Sequence, residues 1–170
     1  SGTASGLAGA DSFTLNANVA VGTLSGGSDG DSFLLGGFTL TGAIDGGTGG
    51  LESDIITGSD NYTLTGAGSG SSSNITGNYS NIENLTGTVG DDVFTVNGGS
   101  VTGTVNGAGG ANDLLTGGTA YAVTGANAGN IGGVTHWLSI ENLTGTSGAD
   151  TFPFSAGGSL SGDASGLGGT

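Results

Sequence analysis

Ile82-Glu83-Asn84-Leu85-Thr86-Gly87-Thr88 recurs letter for letter as Ile140-Glu141-Asn142-Leu143-Thr144-Gly145-Thr146. An identical heptad in a chain of 170 residues is internal duplication. The likeness runs on, with Gly90-Asp91-Asp92-Val93-Phe94 after the first copy and Gly148-Ala149-Asp150-Thr151-Phe152 after the second. A looser third copy stands upstream as Leu24-Ser25-Gly26 and Asp31-Ser32-Phe33. One reused unit points to an extended array rather than a globule built around one pocket. Ile82, Leu85, Ile140 and Leu143 are expected to point inward in shared columns, with Phe94 and Phe152 completing the core. Asn84 and Asn142 fall at a corner, where they either stack along the axis through their amides or close a local Asx turn.

Short strands surround the heptad. Thr39-Leu40-Thr41-Gly42, Thr63-Leu64-Thr65-Gly66 and Ser159-Leu160-Ser161-Gly162 each put one aliphatic side chain on one face and two hydroxyls on the other. Each ends in glycine, which accepts the positive φ of a sharp turn. The apolar landmarks that follow an Asp are Phe13, Phe33, Ile56, Phe94, Leu115 and Phe152. They lie about 20, 23, 38, 21 and 37 residues apart. The larger gaps are near twice the smaller, so the period is close to 20 residues.

This pattern predicts an all-β chain folded as a parallel β-solenoid with rungs of about 20 residues. The units are 31–91 and 92–149, flanked by partial units 1–30 and 150–170, in one continuous array. Ser69–Ser73 reads as a loop thrown out of one rung. An antiparallel β-sandwich is the alternative, with Asp29-Gly30, Asp45-Gly46, Asn97-Gly98 and Asn106-Gly107 as hairpin turns. It does not explain the 20-residue period. The first ten residues resemble the last ten, as expected of a slice from a longer repetitive protein.

Composition narrows the function. Glycine supplies 41 residues, yet 34% of the chain is apolar and regularly placed, unlike a disordered linker. There is no Lys or Arg, and the formal charge is −14. No basic patch exists for phosphate contacts, which argues against nucleic-acid binding. Anionic membranes would repel the chain, and no apolar run is long enough to insert. Without Cys there are no disulfides or thiolate metal sites. Without Lys or Arg there is no cleavage site for trypsin-like proteases, which suits a secreted or cell-surface setting.

Gly107-Ala108-Gly109-Gly110-Ala111-Asn112-Asp113-Leu114-Leu115 resembles a degenerate glycine- and aspartate-rich nonapeptide of the RTX, haemolysin-type repeats. Gly46-Gly47-Thr48-Gly49-Gly50 followed by Asp54-Ile55-Ile56 is more distantly similar. The Asn-Leu-Thr-Gly-Thr and Gly-Asp-Asp-x-Phe text resembles β-strand repeats of large bacterial exoproteins and adhesins, including filamentous-haemagglutinin-like β-helices. The resemblance implies a stalk, filament or surface scaffold, with calcium in RTX-type turns. The chain departs from the RTX pattern because its Asp-bearing loops stand about 20 residues apart rather than in immediate tandem.

Candidate sites follow. Asp31, Asp54, Asp92, Asp113 and Asp150 hold similar turn positions, so a column of them is a candidate site for Ca2+, a hard cation that takes oxygen ligands. The competing expectation is that each is a solvated turn residue. His136 and Trp137 lie in Ala126–Trp137, a stretch without an obvious counterpart, and are the candidate contact for a surface glycan. Two of the three glutamates are repeat-equivalent and no basic residue is available to stabilise an oxyanion, so no enzymatic role is expected. The expected function is a rigid stalk or self-assembling extracellular filament whose partners are copies of itself. The alternatives are an adhesin module contacting glycan or host surface and, behind it, ice binding through Thr-x-Thr pairs.

Overall fold

In the computed structural model residues 2–48 and 53–168 are described, and every regular element among them is a β-strand. Gly49-Gly50 of the second glycine-rich turn, Glu52, Ser1, Gly169 and Thr170 lie outside the described residues. The chain is all-β. It runs through β1 (Thr3–Ala8), β2 (Ser12–Thr14), β3 (Val19–Ser28), β4 (Ser32–Leu34), β5 (Leu40–Gly47) and β6 (Ile55–Thr57). Next come β7 (Asn61–Gly66), β8 (Ser69–Ser72), β9 (Ile75–Ser80), β10 (Asn84–Thr86), β11 (Val93–Val96) and β12 (Val101–Asn106). The last are β13 (Leu114–Thr116), β14 (Tyr121–Gly125), β15 (Ala128–Ile131), β16 (Val134–Leu138), β17 (Asn142–Thr144) and β18 (Ala164–Ser165).

These strands form two sheets. The first has the order β1-β3-β5-β9-β8-β7-β11-β13-β17-β18, the second β14-β15-β16-β12-β10-β6-β4-β2. Outside two interruptions and the last step, β17 to β18, the strands alternate between the sheets in chain order and stack in parallel on those one layer away. The register is set by inward columns. Phe13, Phe33, Ile56, Leu85, Val105 and Trp137 pair in succession along the second sheet. Tyr62, Phe94, Leu115 and Leu143 do so along the first. A one-residue slip would turn a whole column out to solvent, so burial fixes the pairing. The columns meet in one core, where Phe33, Ile56, Leu85, Val105, Leu115 and Trp137 are fully enclosed. Each such side chain contributes roughly 1.5–3 kcal/mol by its removal from water.

Both sheets are mixed, which departs from uniform parallel rungs. β7-β8-β9 is an antiparallel meander in the first sheet, and β14-β15-β16 is another in the second. Ser69–Ser73 is therefore not a loop, since Ser69–Ser72 forms the middle strand of the first meander. Propensity hides it, and tertiary contact makes it. Gly70 faces Tyr79, and a Cβ there would lie 2.0 Å from the Thr63 carbonyl oxygen and 2.5 Å from the Tyr79 hydroxyl. The middle strand needs that absence of a side chain so that the ring can lie across it. Gly129 does the same beneath Trp137. The Asp-Gly and Asn-Gly pairs do not make the hairpins. The turns between β7 and β8 and between β14 and β15 are Ala67-Gly68 and Ala126-Asn127, with φ of 57° at Gly68 and 47° at Asn127.

The second meander corrects the reading of Ala126–Trp137 as unrepeated. It is the structural counterpart of the first, with Asn127 in the place of Gly68 and Trp137 in the place of Tyr79. Gly68 donates to the Ser100 carbonyl and Asn127 to that of Ser159. Gly68 accepts from Ile82 and Asn127 from Ile140. Each of the units 31–91 and 92–149 thus contains one meander. The copies have exchanged sheets: β10 lies in the second sheet, whereas its counterpart β17 lies in the first.

Candidate functional site

The identical heptads make the same contacts twice, residue by residue. Ile82 and Ile140 are fully buried and donate their N–H to the preceding meander turn. Glu83 Oε2 accepts from the Asp54 N–H at 2.9 Å, and Glu141 Oε2 from the Asp113 N–H at 3.0 Å. Asn84 joins three layers. Its N–H donates to the Asp54 carbonyl at 2.9 Å, and its Oδ1 accepts from the Thr104 N–H at 2.9 Å. Asn142 donates to the Asp113 carbonyl at 2.9 Å and accepts from the Asp163 N–H at 3.0 Å. The amides therefore neither stack on each other nor close a turn on their own backbone. Each side chain bridges the layer before to the layer after.

The rest of the heptad is as fully used. Leu85 and Leu143 fill the core. The Thr86 carbonyl accepts from the Tyr62 hydroxyl at 3.0 Å, and the Thr144 carbonyl from the Tyr121 hydroxyl at 2.6 Å. Each tyrosine ring stacks on a later phenylalanine, Tyr62 on Phe94 and Tyr121 on Phe152. Thr88 holds Asp92 through its N–H at 2.9 Å and its hydroxyl at 3.1 Å, and Thr146 holds Asp150 at 3.1 and 3.3 Å. Gly87 and Gly145 abut those carboxylates, because a Cβ on either would fall within about 2.5 Å of a carboxylate atom. Most positions of the repeated sequence have a partner of their own, Glu83, Asn84 and the Thr86 carbonyl in a neighbouring layer and Thr88 in Asp92 of the turn that follows.

The aspartates form columns. The Asp11 N–H donates to Asp31 Oδ1 at 2.7 Å, the Asp31 N–H to Asp54 Oδ1 at 2.6 Å, and Glu83 ends the series. A second column runs Asp92, Asp113, Glu141, with Asp92 donating to Asp113 Oδ1 at 2.7 Å. Asp150 stands apart, held by Thr146. Asp31, Asp54, Asp92 and Asp113 are all buried, so they are not solvated turn residues. The columns supply one carboxylate per layer, and among the described residues no three acidic or imidazole side chains gather around a common point. Burial pushes the Asp113 carboxyl up to about 6, against the hydrogen bond from Asp92; the Glu141, Asp92 and Asp91 carboxylates add to the rise. Burial also raises Asp92, partly offset by its Thr88 donors. Asp91, exposed, is lowered by the N–H of Ala111 and the side chain of Asn112.

Trp137 is fully buried and His136 is exposed, so the two side chains do not form one contact surface. Phe94 is buried and Phe152 packs against the core edge. The sequence showed the column positions but not the carboxylate-to-N–H bonds, which link residues 20 to 29 positions apart. The kinship of the two meanders was readable from Ile55-Ile56-Thr57-Gly58 against Leu114-Leu115-Thr116-Gly117, and from Thr65-Gly66-Ala67 against Thr124-Gly125-Ala126. No helix is long and apolar enough to cross a membrane among the described residues. No family model, curated protein or solved structure matches the chain.

Proposed function

We propose that the chain is a structural segment of a secreted or cell-surface fibrous protein, a largely parallel β-solenoid that serves as a stalk or as a filament assembled from copies of itself. The observation that supports this is the heptad. In both copies its Glu and Asn side chains bond to neighbouring layers. A sheet of ten strands at a spacing of ~4.8 Å extends about 43 Å. Small-angle scattering of the isolated chain should give an elongated particle of about that length, lengthening with concentration as copies join. An isotropic particle that stays monomeric at high concentration, with and without calcium, would refute the proposal.

A second reading, lateral binding to a glycan or an ordered surface such as ice, is favoured by one feature. Thr63, Thr95, Thr116, Thr144 and Ser165 pair in register on the outward side of the first sheet. The double substitution Thr95→Tyr, Thr116→Tyr should abolish adhesion or ice shaping if this hydroxyl column is the contact. Unaltered binding would dismiss it.

A further inference from the structure

We propose that β18 holds the place of β1 from a second copy of this chain, and that copies join head to tail when that β1 displaces it. The proposal rests on the reading of the chain as self-assembling and names the strand exchange that joins the copies.

The two strands are versions of one segment. Residues 1–8 and 161–168 differ only in Thr3 against Asp163 and Ala8 against Gly168. They share a backbone as well as a sequence. Leu7 and Leu167 both have positive φ, 80° and 34°, a region leucine rarely adopts. Ala4 pairs with Leu24 and Ser5 with Ser25, as Ala164 pairs with Leu143 and Ser165 with Thr144. The bonds that hold β18 do not use the residues that differ. Leu143 donates to the Asp163 carbonyl at 2.8 Å, and Gly145 to the Ser165 carbonyl at 2.7 Å. Asn142 Oδ1 accepts from the Asp163 N–H at 3.0 Å. Asp163 thus takes part by its backbone, which Thr3 supplies equally.

The ends of the stack show why displacement is needed. Beyond β14, residues 151–154 add a layer to the second sheet through the parallel bridges Ala120–Thr151 and Val123–Phe154. The second sheet still falls one layer short of the first, which β18 extends to ten strands. At the opposite pole β1 and β2 are the end strands of the two sheets, and all four end segments run the same way. A copy seated on top of β18 leaves a gap of one strand, about 4.8 Å, in the second sheet. A copy whose β1 replaces β18 leaves none, and its β2 lies on residues 151–154.

The surfaces so joined match. Asp11-Ser12-Phe13-Thr14-Leu15 meets Asp150-Thr151-Phe152-Pro153-Phe154. Phe13 stacks on Phe33 at 5.2 Å and Phe152 on Tyr121 at 5.1 Å, and both phenylalanines are half-buried. Joining them makes one stack of four rings and buries their open faces. Leu15 covers Phe154, which is 51% exposed in the single chain. In the first sheet the inward column continues without a break from Leu143 to the Ala4 and Leu24 of the second copy.

The chain has no Cys, so introduced thiols report without background. Ser12→Cys and Thr151→Cys place thiols at exposed positions that the exchange sets opposite each other, within reach of a disulfide. Mixed under mild oxidation, at an ionic strength that screens the charge of −14, the two variants should form a disulfide-linked heterodimer. Neither should do so alone. Two glycines give opposite signs. A Cβ on Gly162 would collide with Asn142 Oδ1, so Gly162→Ala loosens β18. It should lower the concentration for half-maximal cross-linking roughly tenfold. Gly2 has open space around it in the single chain but takes the place of Gly162 after exchange. Gly2→Ala should leave the urea midpoint unchanged and raise that concentration roughly tenfold. Absence of the heterodimer, equal cross-linking of either variant alone, or unaltered cross-linking in Gly2→Ala overturns the exchange. Elongated assemblies in scattering without the heterodimer overturn it while leaving the filament reading intact, and no assembly at all refutes both. If Gly162→Ala does not fold, the thiol pair and Gly2→Ala decide.

Discussion

Asn84→Ala tests whether the heptad works as a joint between layers. The substitution removes the acceptor of the Thr104 N–H at 2.9 Å and the donor to Ser53 Oγ at 2.7 Å. Thr104 is half-buried inside the stack, so its N–H has no easy route to water. An orphaned buried donor costs about 1–3 kcal/mol, whereas the lost bond to exposed Ser53 adds little. The expected loss is therefore about 1–3 kcal/mol in urea unfolding, or roughly 2–12 °C in melting midpoint for a chain of this size. Asn142→Ala removes the same type of bond, but the Asp163 N–H it leaves lies at an exposed position and can bind water. Its cost should stay under about 1 kcal/mol. Amide exchange localises the effect, with faster exchange at Thr104 in the first variant. A loss below about 0.5 kcal/mol for Asn84→Ala, with Thr104 protection unchanged, would refute the bridging role.

Trp137→Ala should cost about 3–5 kcal/mol by opening a cavity, while His136→Ala should stay within about 0.5 kcal/mol, both read by urea unfolding. Tyr62→Phe removes a donor to the Thr86 carbonyl and orphans the Ser59 N–H that the hydroxyl accepts, and should cost about 1–3 kcal/mol. Tyr121→Phe should cost about the same, because it likewise orphans the Gly118 N–H that its hydroxyl accepts at 3.0 Å. A cost below about 0.5 kcal/mol for either variant would sink that role of the hydroxyls. Gly129→Ala should disrupt the second meander, since its Cβ would meet the Ala122 carbonyl oxygen at 2.0 Å, and near-ultraviolet dichroism of Trp137 should report the loss.

Much of this arrangement was legible from residue order. The inward columns follow from alternation, so Ile82, Leu85, Phe94, Ile140 and Leu143 are core residues as their spacing implies. The meanders were hidden for a physical reason. Ser69-Gly70-Ser71-Ser72 has weak strand propensity, and only Tyr79 lying over Gly70 makes it a strand. Trp137 and His136 stood as a candidate contact pair, but adjacent residues in a strand face opposite ways, and the sequence alone did not say which faced in. The aspartate columns were visible as positions, but hydrogen bonding to backbone N–H groups one layer away leaves no mark on composition or spacing.

The exchange of sheets between the two copies sets a parity. β7–β9 places three strands in the first sheet before the second sheet receives β10, giving the first a lead of two. The meander β14–β16 gives two back to the second. Between the meanders the sheets run out of step by about 9–10 Å at ~4.8 Å per strand, so the connections there cross obliquely. Adding or deleting a single unit would leave the two faces of the stack staggered by that amount, whereas a pair of units restores flush faces. The mechanical quantum of this design is thus two heptads.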